Sequence, residues 1–292
     1  MANSCGGVTY KLAQLYSYLF RVKELPFAER ILQPPAPCIM HRPFFGFDLF
    51  VDVSRTSVQT QLYLMGERFI DERRLVARLL KPGGCVVDVG ANIGYYLLMI
   101  ESAIRKNGRV ICFEPEPSNL VELKLNIEKN DLENVEVYEA AVGIENGTVG
   151  FLEGINGGVV ENGEGDFSVD VVTLDAVIAE RVDLLKIDVD GYEAQALIGA
   201  EKLIRDFRPT LFVEIHPHLL ISNYATSDIL NFVQSYYTNV SFYDKRRDLG
   251  AFRRIQSRYG DKGSVVAVKN VYESINQRLA GKIDEGFWMV CN

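Results

Sequence analysis

No Cys-x-x-Cys pair occurs in this sequence; its five cysteines, Cys5, Cys38, Cys85, Cys112 and Cys291, are scattered. A local dithiol motif is therefore excluded, and with Cys85 and Cys112 inside β-type runs that should be buried, a reduced interior suits the five cysteines. No segment approaches the roughly 20 apolar residues that cross a bilayer, and no basic stretch followed by an apolar run opens the chain. A cytoplasmic protein is expected. Positive charge is also in short supply, with 39 acidic against 31 basic residues and a formal net charge of -8. That balance argues against nucleic acid or another long polyanion as the main partner. The conspicuous basic residues, Lys245-Arg246-Arg247 and Arg253-Arg254, read as a solvated loop. Internal repeats and low-complexity tracts are missing too. What remains, 292 residues with 48% hydrophobic content, fills one large α/β core with small additions.

One segment carries most of the information. Val86 to Val89 is an apolar strand holding Asp88, and it runs into Gly90-Ala91-Asn92-Ile93-Gly94 and then into a helix opening at Tyr95-Tyr96. A strand, a tight small-residue turn and a helix make the start of a nucleotide-binding βαβ unit. Gly90 and Gly94 permit the sharp turn and a close approach to a ligand, and the new helix offers N–H groups to an anion. Glu114, twenty residues after Gly94, ends the next strand before Pro115; a carboxylate there can accept both hydroxyls of a ribose. A dinucleotide loop wants Gly-x-Gly-x-x-Gly, but Asn92 stands in place of the second glycine and the third is missing, which disfavours a pyrophosphate. S-adenosyl-L-methionine fits instead, its carboxylate on the loop amides of Gly90, Ala91, Asn92 and Gly94 and its ribose on Glu114. Asp88 is expected to order the loop.

Along the chain, apolar spacing over 10–25 predicts a helix docked on the domain, and Pro34-Pro35-Ala36-Pro37 an extended linker. Residues 44–53 read as a hairpin or strand pair ahead of a helix over 67–80. Strands are expected near 85–89, 109–114, 135–139, 183–188 and 210–215, with helices near 94–105, 117–130, 192–206 and 226–236. That alternation makes a parallel sheet with helices on both faces. The glycine-rich run 147–170 reads as an antiparallel excursion over one edge, followed by a short helix near 174–180. Asn239 to Tyr243 and Gly286 to Cys291 complete the strands. The division is 1–65, helix, linker and β extension, and 66–292, the catalytic domain.

Val87-Asp88-Val89-Gly90-Ala91-Asn92-Ile93-Gly94-Tyr95-Tyr96, Phe113-Glu114-Pro115, Ala140-Ala141-Val142-Gly143 and Lys186-Ile187-Asp188-Val189-Asp190-Gly191-Tyr192-Glu193 together resemble the FkbM family of S-adenosylmethionine-dependent methyltransferases, from about Gly66 to about Leu220. Asp190 departs from the glutamate usual there. The resemblance implies a class I, Rossmann-like fold, a seven-stranded sheet of order 3-2-1-4-5-7-6 with the last strand antiparallel. It also implies O-methylation of a hydroxyl on a sugar, glycolipid or secondary metabolite. Residues 245–282 then form an insertion that either covers the acceptor or mediates self-association into a homo-oligomer.

Chemistry in such folds lies beyond the carboxyl ends of the strands. Asp188 is the first candidate there, holding the methionine ammonium or orienting the acceptor hydroxyl, against the alternative of a cap for the helix after Gly191. His216 is the candidate general base, with an ordinary pKa of about 6.5, against a histidine bonded to neighbouring backbone. Glu214 completes the catalytic set, and His218 reads as a loop residue. Ala140 and Ala141 are expected at the adenine edge, Lys186 beside a nearby carboxylate, and Glu193 in a first helical turn. Asp188, Glu214 and His216 could gather round magnesium, but metal-free base catalysis is the preferred reading. A non-catalytic S-adenosylmethionine-binding protein and, through the same loop, an NAD-dependent oxidoreductase are the alternatives from other classes. No Asn-Pro-Pro-Tyr or Asp-Pro-Pro-Tyr run marks an N-methyltransferase.

Overall fold

The structure is a computed structural model that describes residues 37–55, 59, 62–63, 70–152, 158–160, 165–217, 219–221, 224–246, 251–255 and 287–292. The expected helix over 10–25, most of the proline linker, His218 and most of 245–282 lie outside the described residues. In chain order the elements begin with a hairpin, β1 (Ile39–Phe44) and β2 (Phe47–Asp52), followed by α1 (Ile70–Leu79). Then come β3 (Cys85–Val89), α2 (Tyr95–Ile104), β4 (Arg109–Phe113), α3 (Pro117–Lys129) and β5 (Val135–Tyr138). The excursion holds β6 (Ala140–Val142), β7 (Gly147–Leu152), β8 (Gly158–Val160) and β9 (Phe167–Val172), closed by α4 (Leu174–Val177). The remainder is β10 (Leu184–Ile187), α5 (Glu193–Ile198), α6 (Glu201–Phe207), β11 (Thr210–Ile215), α7 (Thr226–Gln234), β12 (Val240–Arg246), β13 (Ala251–Ile255) and β14 (Phe287–Cys291).

Eight strands, ordered β13-β12-β14-β11-β10-β3-β4-β5, form the main mixed sheet. Its parallel half runs from β11 to β5, and β14 enters antiparallel between β11 and β12. Seven strands were expected; the eighth, β13, falls in the stretch read as an insertion and extends the edge by pairing antiparallel with β12. Lys245 and Arg246 pair there with Phe252 and Ala251, so these two residues lie on β12, and Arg253-Arg254 on the edge strand β13, and not in a loop; Arg247 lies outside the described residues. The excursion forms a second sheet of its own, ordered β6-β9-β7-β8.

Period-two alternation sorts the main sheet into two faces. Val87, Val89, Ile111, Phe113, Leu185, Ile187, Leu211, Val213 and Ile215 share one core with residues of α5, α6 and α7. The opposite residues, Val86, Val110, Cys112, Leu184 and Phe212, share the other core with α1, α2, α3 and the hairpin. Trp288 is fully buried there and stacks on Phe212 with ring centroids 3.9 Å apart.

One helix was expected over 192–206, and two are found. A Cβ on Gly199 would stand 1.9 Å from the Gly143 carbonyl oxygen, so the chain passes Gly143 at a point where only glycine fits. The Gly199 carbonyl accepts Asp175 N–H, and the Asp175 carboxylate in turn accepts the N–H groups of Lys202 and Leu203, both at 2.8 Å, in the first turn of α6. The break is thus capped from α4. Cys38 is disulfide-bonded, whereas Cys85, Cys112 and Cys291 are free thiols. The expectation of reduced cysteines fails at Cys38, because scatter along a sequence says nothing about which thiols meet in space.

The hairpin turns at Phe45 and Gly46, both with positive φ, as a two-residue loop requires. It docks by an unusual ladder. The N–H groups of Asp48, Phe50 and Asp52, at every second residue of β2, donate to the side chains of Asn130, Asn126 and Glu122, at every fourth residue along α3 and its C-cap. Two strand residues advance about 6.8 Å and four helical residues about 6 Å, so the two repeats match over three rungs. Asn126 and Asn130 return the bond to the carbonyls of Phe50 and Asp48. The edge of β2 is satisfied without another strand.

Asn126 also donates to the Ile93 carbonyl at 2.8 Å and is fully buried. Asn126→Ala strands three backbone groups and is expected to cost about 2–4 kcal/mol in urea unfolding. Asn130→Ala, on an exposed rung, should cost under about 1 kcal/mol. Equal losses in the two variants would contradict the ladder.

Candidate active site

Strand register assembles the site. Lys186 pairs with Asp88 on one side and Phe212 on the other, so the three side chains leave the same face of neighbouring strands. Lys186 Nζ lies 2.8 Å from Asp88 Oδ1, 3.2 Å from the Gly90 carbonyl, 3.9 Å from Asp188 Oδ2 and 4.8 Å from the centre of the Tyr96 ring. Both members of the ion pair are buried. Burial opposes the ammonium, but Asp88, Asp188 and Glu214 outweigh it and hold the Lys186 pKa above the usual lysine value. Asp88 therefore acts on the glycine loop through Lys186, which grips the Gly90 carbonyl. Tyr96 beneath the ammonium donates to Glu72, which also accepts Trp288 Nε1–H at 3.2 Å. Glu72 and Tyr96 escaped the sequence reading, since an acid in α1 gives no sign of its distant partners.

The glycine loop is bound up in itself. Gly90 and Ala91 both donate to the Phe113 carbonyl, Gly94 donates to Ala91, Ile93 N–H reaches Asn92 Oδ1 at 2.9 Å, and Asn92 N–H reaches Glu114 Oε2 at 2.7 Å. The expectation that the amides of Gly90, Ala91, Asn92 and Gly94 are offered to a ligand is corrected: the loop uses them to hold its own shape. Gly90 is required for another reason as well. A Cβ there would lie 1.9 Å from the Asp188 carbonyl oxygen, at a φ of +77°. The helix α2 that follows has Gly94 at its N-cap and no side-chain cap, so the positive end of its dipole is not covered by a side chain.

Glu114 is buried beside the loop. Its second oxygen accepts Glu116 N–H at 2.9 Å and Asn119 Nδ2 at 3.3 Å. Burial raises its pKa to about 7 despite these donors. Pro115 leads from there into α3. Ala140 and Ala141 are buried in β6, which follows β5 after Glu139.

The second cluster lies where β10 and β11 end. Register carried one step past Ile187–Val213 sets Asp188 beside Glu214, and His216 follows on the same face. Nδ1 of His216 lies 2.8 Å from Glu193 Oε1, and Nε2 lies 3.3 Å from Glu214 Oε1 and 3.4 Å from Asp190 Oδ1. Burial opposes the imidazolium, yet bonds to Glu193 and Glu214 and the charge of Asp188 push the His216 pKa up to about 11. The expectation of a neutral base near 6.5 is corrected, since carboxylates surround both ring nitrogens. Asp188 is not a helix cap either, because Tyr192 occupies the N-cap of α5 without a side-chain cap. Glu193, expected only to favour the dipole, is fully buried, orients His216 and accepts Gly191 N–H at 3.2 Å. An acid that opens a helix and is followed by Ala194, Ala196, Leu197 and Ile198 was the available signal. Asp188, Glu214 and His216 each present a ligand atom, all within 4.8 Å of one another.

Residues 88–239, more than half of the chain, match the family model described as Methyltransferase FkbM domain. No curated protein matches the sequence. Among solved structures the chain is similar to methyltransferase FkbM from Methylobacillus flagellatus, at 20% identity and a TM-score of 0.43, over 63% of this chain and 48% of that one. It therefore spans about half the length of the Methylobacillus protein. TYW2 of M. jannaschii, in complex with AdoMet, is 14% identical with a TM-score of 0.45, over 74% of this chain and 83% of that one. A SAM-dependent O-methyltransferase from Thermotoga maritima is 11% identical with a TM-score of 0.43, over 88% and 85%.

Two outcomes test this geometry. Lys186→Met leaves Asp88 buried without its counter-charge and is expected to cost about 3–5 kcal/mol in urea unfolding, a loss largely recovered in Lys186→Met/Asp88→Leu. If the single variant is as stable as the parent, the ion pair is not structural. Glu114 has a folded pKa near 7 against 4.5 for the free group. Its contribution is fully present below about pH 4.5 and is lost as pH rises through about 7, where the buried carboxyl ionises. Unfolding free energy should thus fall by up to about 3 kcal/mol over that window through this group. Glu101, also raised to about 7 by burial, adds a decline of the same sign. Glu114→Gln should remove its share of the slope and leave that of Glu101; an unaltered slope would contradict the buried carboxyl.

Proposed function

The chain belongs to the FkbM methyltransferase family, and from that premise we propose that it transfers a methyl group from S-adenosylmethionine to a hydroxyl oxygen of a sugar, glycolipid or secondary metabolite. The observation that carries the reading is Glu114, a buried carboxylate at the end of β4 locked against the Asn92 amide of the glycine loop. It stands one strand away from β3 and two from the Asp188 cluster.

S-adenosylmethionine supplies a methyl group already activated on a sulfonium, so the chain has to hold, align and remove one proton. Glu114 accepts the ribose hydroxyls. The uncapped start of α2 favours the methionine carboxylate. Ala140 and Ala141 leave room for the adenine with their small side chains. Asp188, a quarter exposed in its side chain, accepts the hydrogen bond of the acceptor hydroxyl and takes its proton. Glu214 and His216 beside it set the local charge, His216 as a cation held by Glu193. A second reading, an S-adenosylmethionine-binding protein without turnover, is favoured by one observation: both ring nitrogens of His216 are tied to carboxylates.

Calorimetric titration with S-adenosylhomocysteine, with NAD in parallel, tests the cofactor. Saturable binding of the first alone is expected, and Glu114→Ala should weaken it by about 1.5–3 kcal/mol. Affinity unchanged in that variant removes Glu114 from the site. Release of S-adenosylhomocysteine on incubation with S-adenosylmethionine and a panel of hydroxylated acceptors separates enzyme from binder. Asp188→Asn should abolish that release while retaining binding.

A further inference from the structure

The geometry points to a divalent metal site at the ends of β10 and β11, with Asp188, Glu214 and His216 as its ligands and Mn²⁺ or Mg²⁺ as its occupant. Three donors of mixed type, two carboxylates and an imidazole, come from two adjacent strand ends and lie within 4.8 Å of one another. An octahedral ion with bonds of about 2.1 Å needs neighbouring ligand atoms about 3 Å apart and opposite ones about 4.2 Å apart. The His216–Glu214 separation is of that size, and the three ligand atoms together lie within 4.8 Å, close enough for small side-chain rotations to bring them onto one ion. His216 Nε2 lies 3.3 Å from Glu214 Oε1, a gap that a shared ion closes.

Two further observations favour an ion. The first is the orientation of the ring: Glu193 accepts from Nδ1 at 2.8 Å, which leaves Nε2 toward the carboxylates. That is how a carboxylate beyond the ligand sphere fixes a metal-binding histidine. Glu193 is fully buried, and its other oxygen, Oε2, has no hydrogen-bond partner. The second is charge. Asp188, Asp190, Glu193 and Glu214 converge on this point, and Lys186, the cation nearest to Asp188 among the described residues, is already committed to Asp88 at 2.8 Å. A divalent ion takes the place of the proton on Nε2 and is ligated by the two carboxylates beside it.

Three protein ligands leave open positions for the acceptor. With the ion bound, Asp188 serves as a ligand instead of the base: the ion binds the acceptor's hydroxyl oxygen and acidifies it, and the released proton passes to solvent at the half-exposed Asp190 carboxylate. This role rests on the proposed methyl transfer, but the binding of the ion does not.

The test is Mn²⁺ titration of the chelator-treated full chain, followed by electron paramagnetic resonance, with S-adenosylhomocysteine binding measured in the same preparation. One saturable Mn²⁺ site is expected, displaced by excess Mg²⁺. Glu214→Gln, His216→Asn and Glu193→Gln should each weaken it roughly 10-fold or more. The exposed Glu145→Gln should leave it unchanged, and near-ultraviolet circular dichroism identifies the variants that retain the parent fold. No saturable site, or a site equally strong in folded Glu214→Gln and His216→Asn, overturns the inference. S-adenosylhomocysteine binding without Mn²⁺ binding refutes the metal and leaves the methyl-transfer reading standing. Mn²⁺ binding that follows these variants, without S-adenosylhomocysteine binding, upholds the metal and refutes that reading.

Discussion

A single ammonium group, buried where water cannot screen it, sets the terms for the rest of the site. Lys186 cannot be left alone in the sheet, because an unpaired charge in a low-dielectric interior is too costly to keep. It takes Asp88 from the next strand and the carbonyl of Gly90, and rests on the face of Tyr96. These contacts tie three pieces together: the strand that enters the glycine loop, the loop itself, and the first turn of the following helix. Glu72 and Trp288 extend the same set of contacts to α1 and to the last strand, so residues about 200 positions apart hold one tyrosine ring in place.

Two groups of acids then have different tasks because their surroundings differ. Glu114 is ringed by N–H donors and is set against the loop, with burial raising its pKa to about 7. The acids at the ends of β10 and β11 face a histidine and one another. Among the described residues the His216 imidazole lies between Glu193, Glu214 and Asp190. The site therefore has a cluster of carboxylates around one imidazole on one side of the glycine loop and orienting amides on the other. Such an arrangement suits a cationic methyl donor better than a dinucleotide.

The N-terminal hairpin shows how a small addition becomes part of the core. Its apolar residues Phe44, Leu49 and Val51 join the same buried cluster as α1 and α2, while its polar edge is read by the side chains of α3. Arg55, just past the hairpin, reaches Glu116, Ser118, Asn119 and Glu122 at the start of that helix. Asn119 also touches Glu114. The hairpin is thus linked through two side chains to the acid at the end of β4.

The alternation of strands and helices from 85 to 236, the glycine loop and the acid after the second strand were all legible in the sequence, because hydrophobic period and turn chemistry are local properties. Asp188, Glu214 and His216 could be singled out for the same reason, as polar residues at strand ends. Their roles could not. That His216 is held by Glu193, that the loop amides are already spent on Phe113 and Glu114, that Lys186 answers Asp88, and that the helix over 192–206 breaks at Gly199 all depend on which residues meet across the sheet. The sequence by itself determined the elements and the family. Tertiary structure alone decided the charge state and partners of each acid and base, because pKa and hydrogen bonding follow from burial and from neighbours far away in the chain.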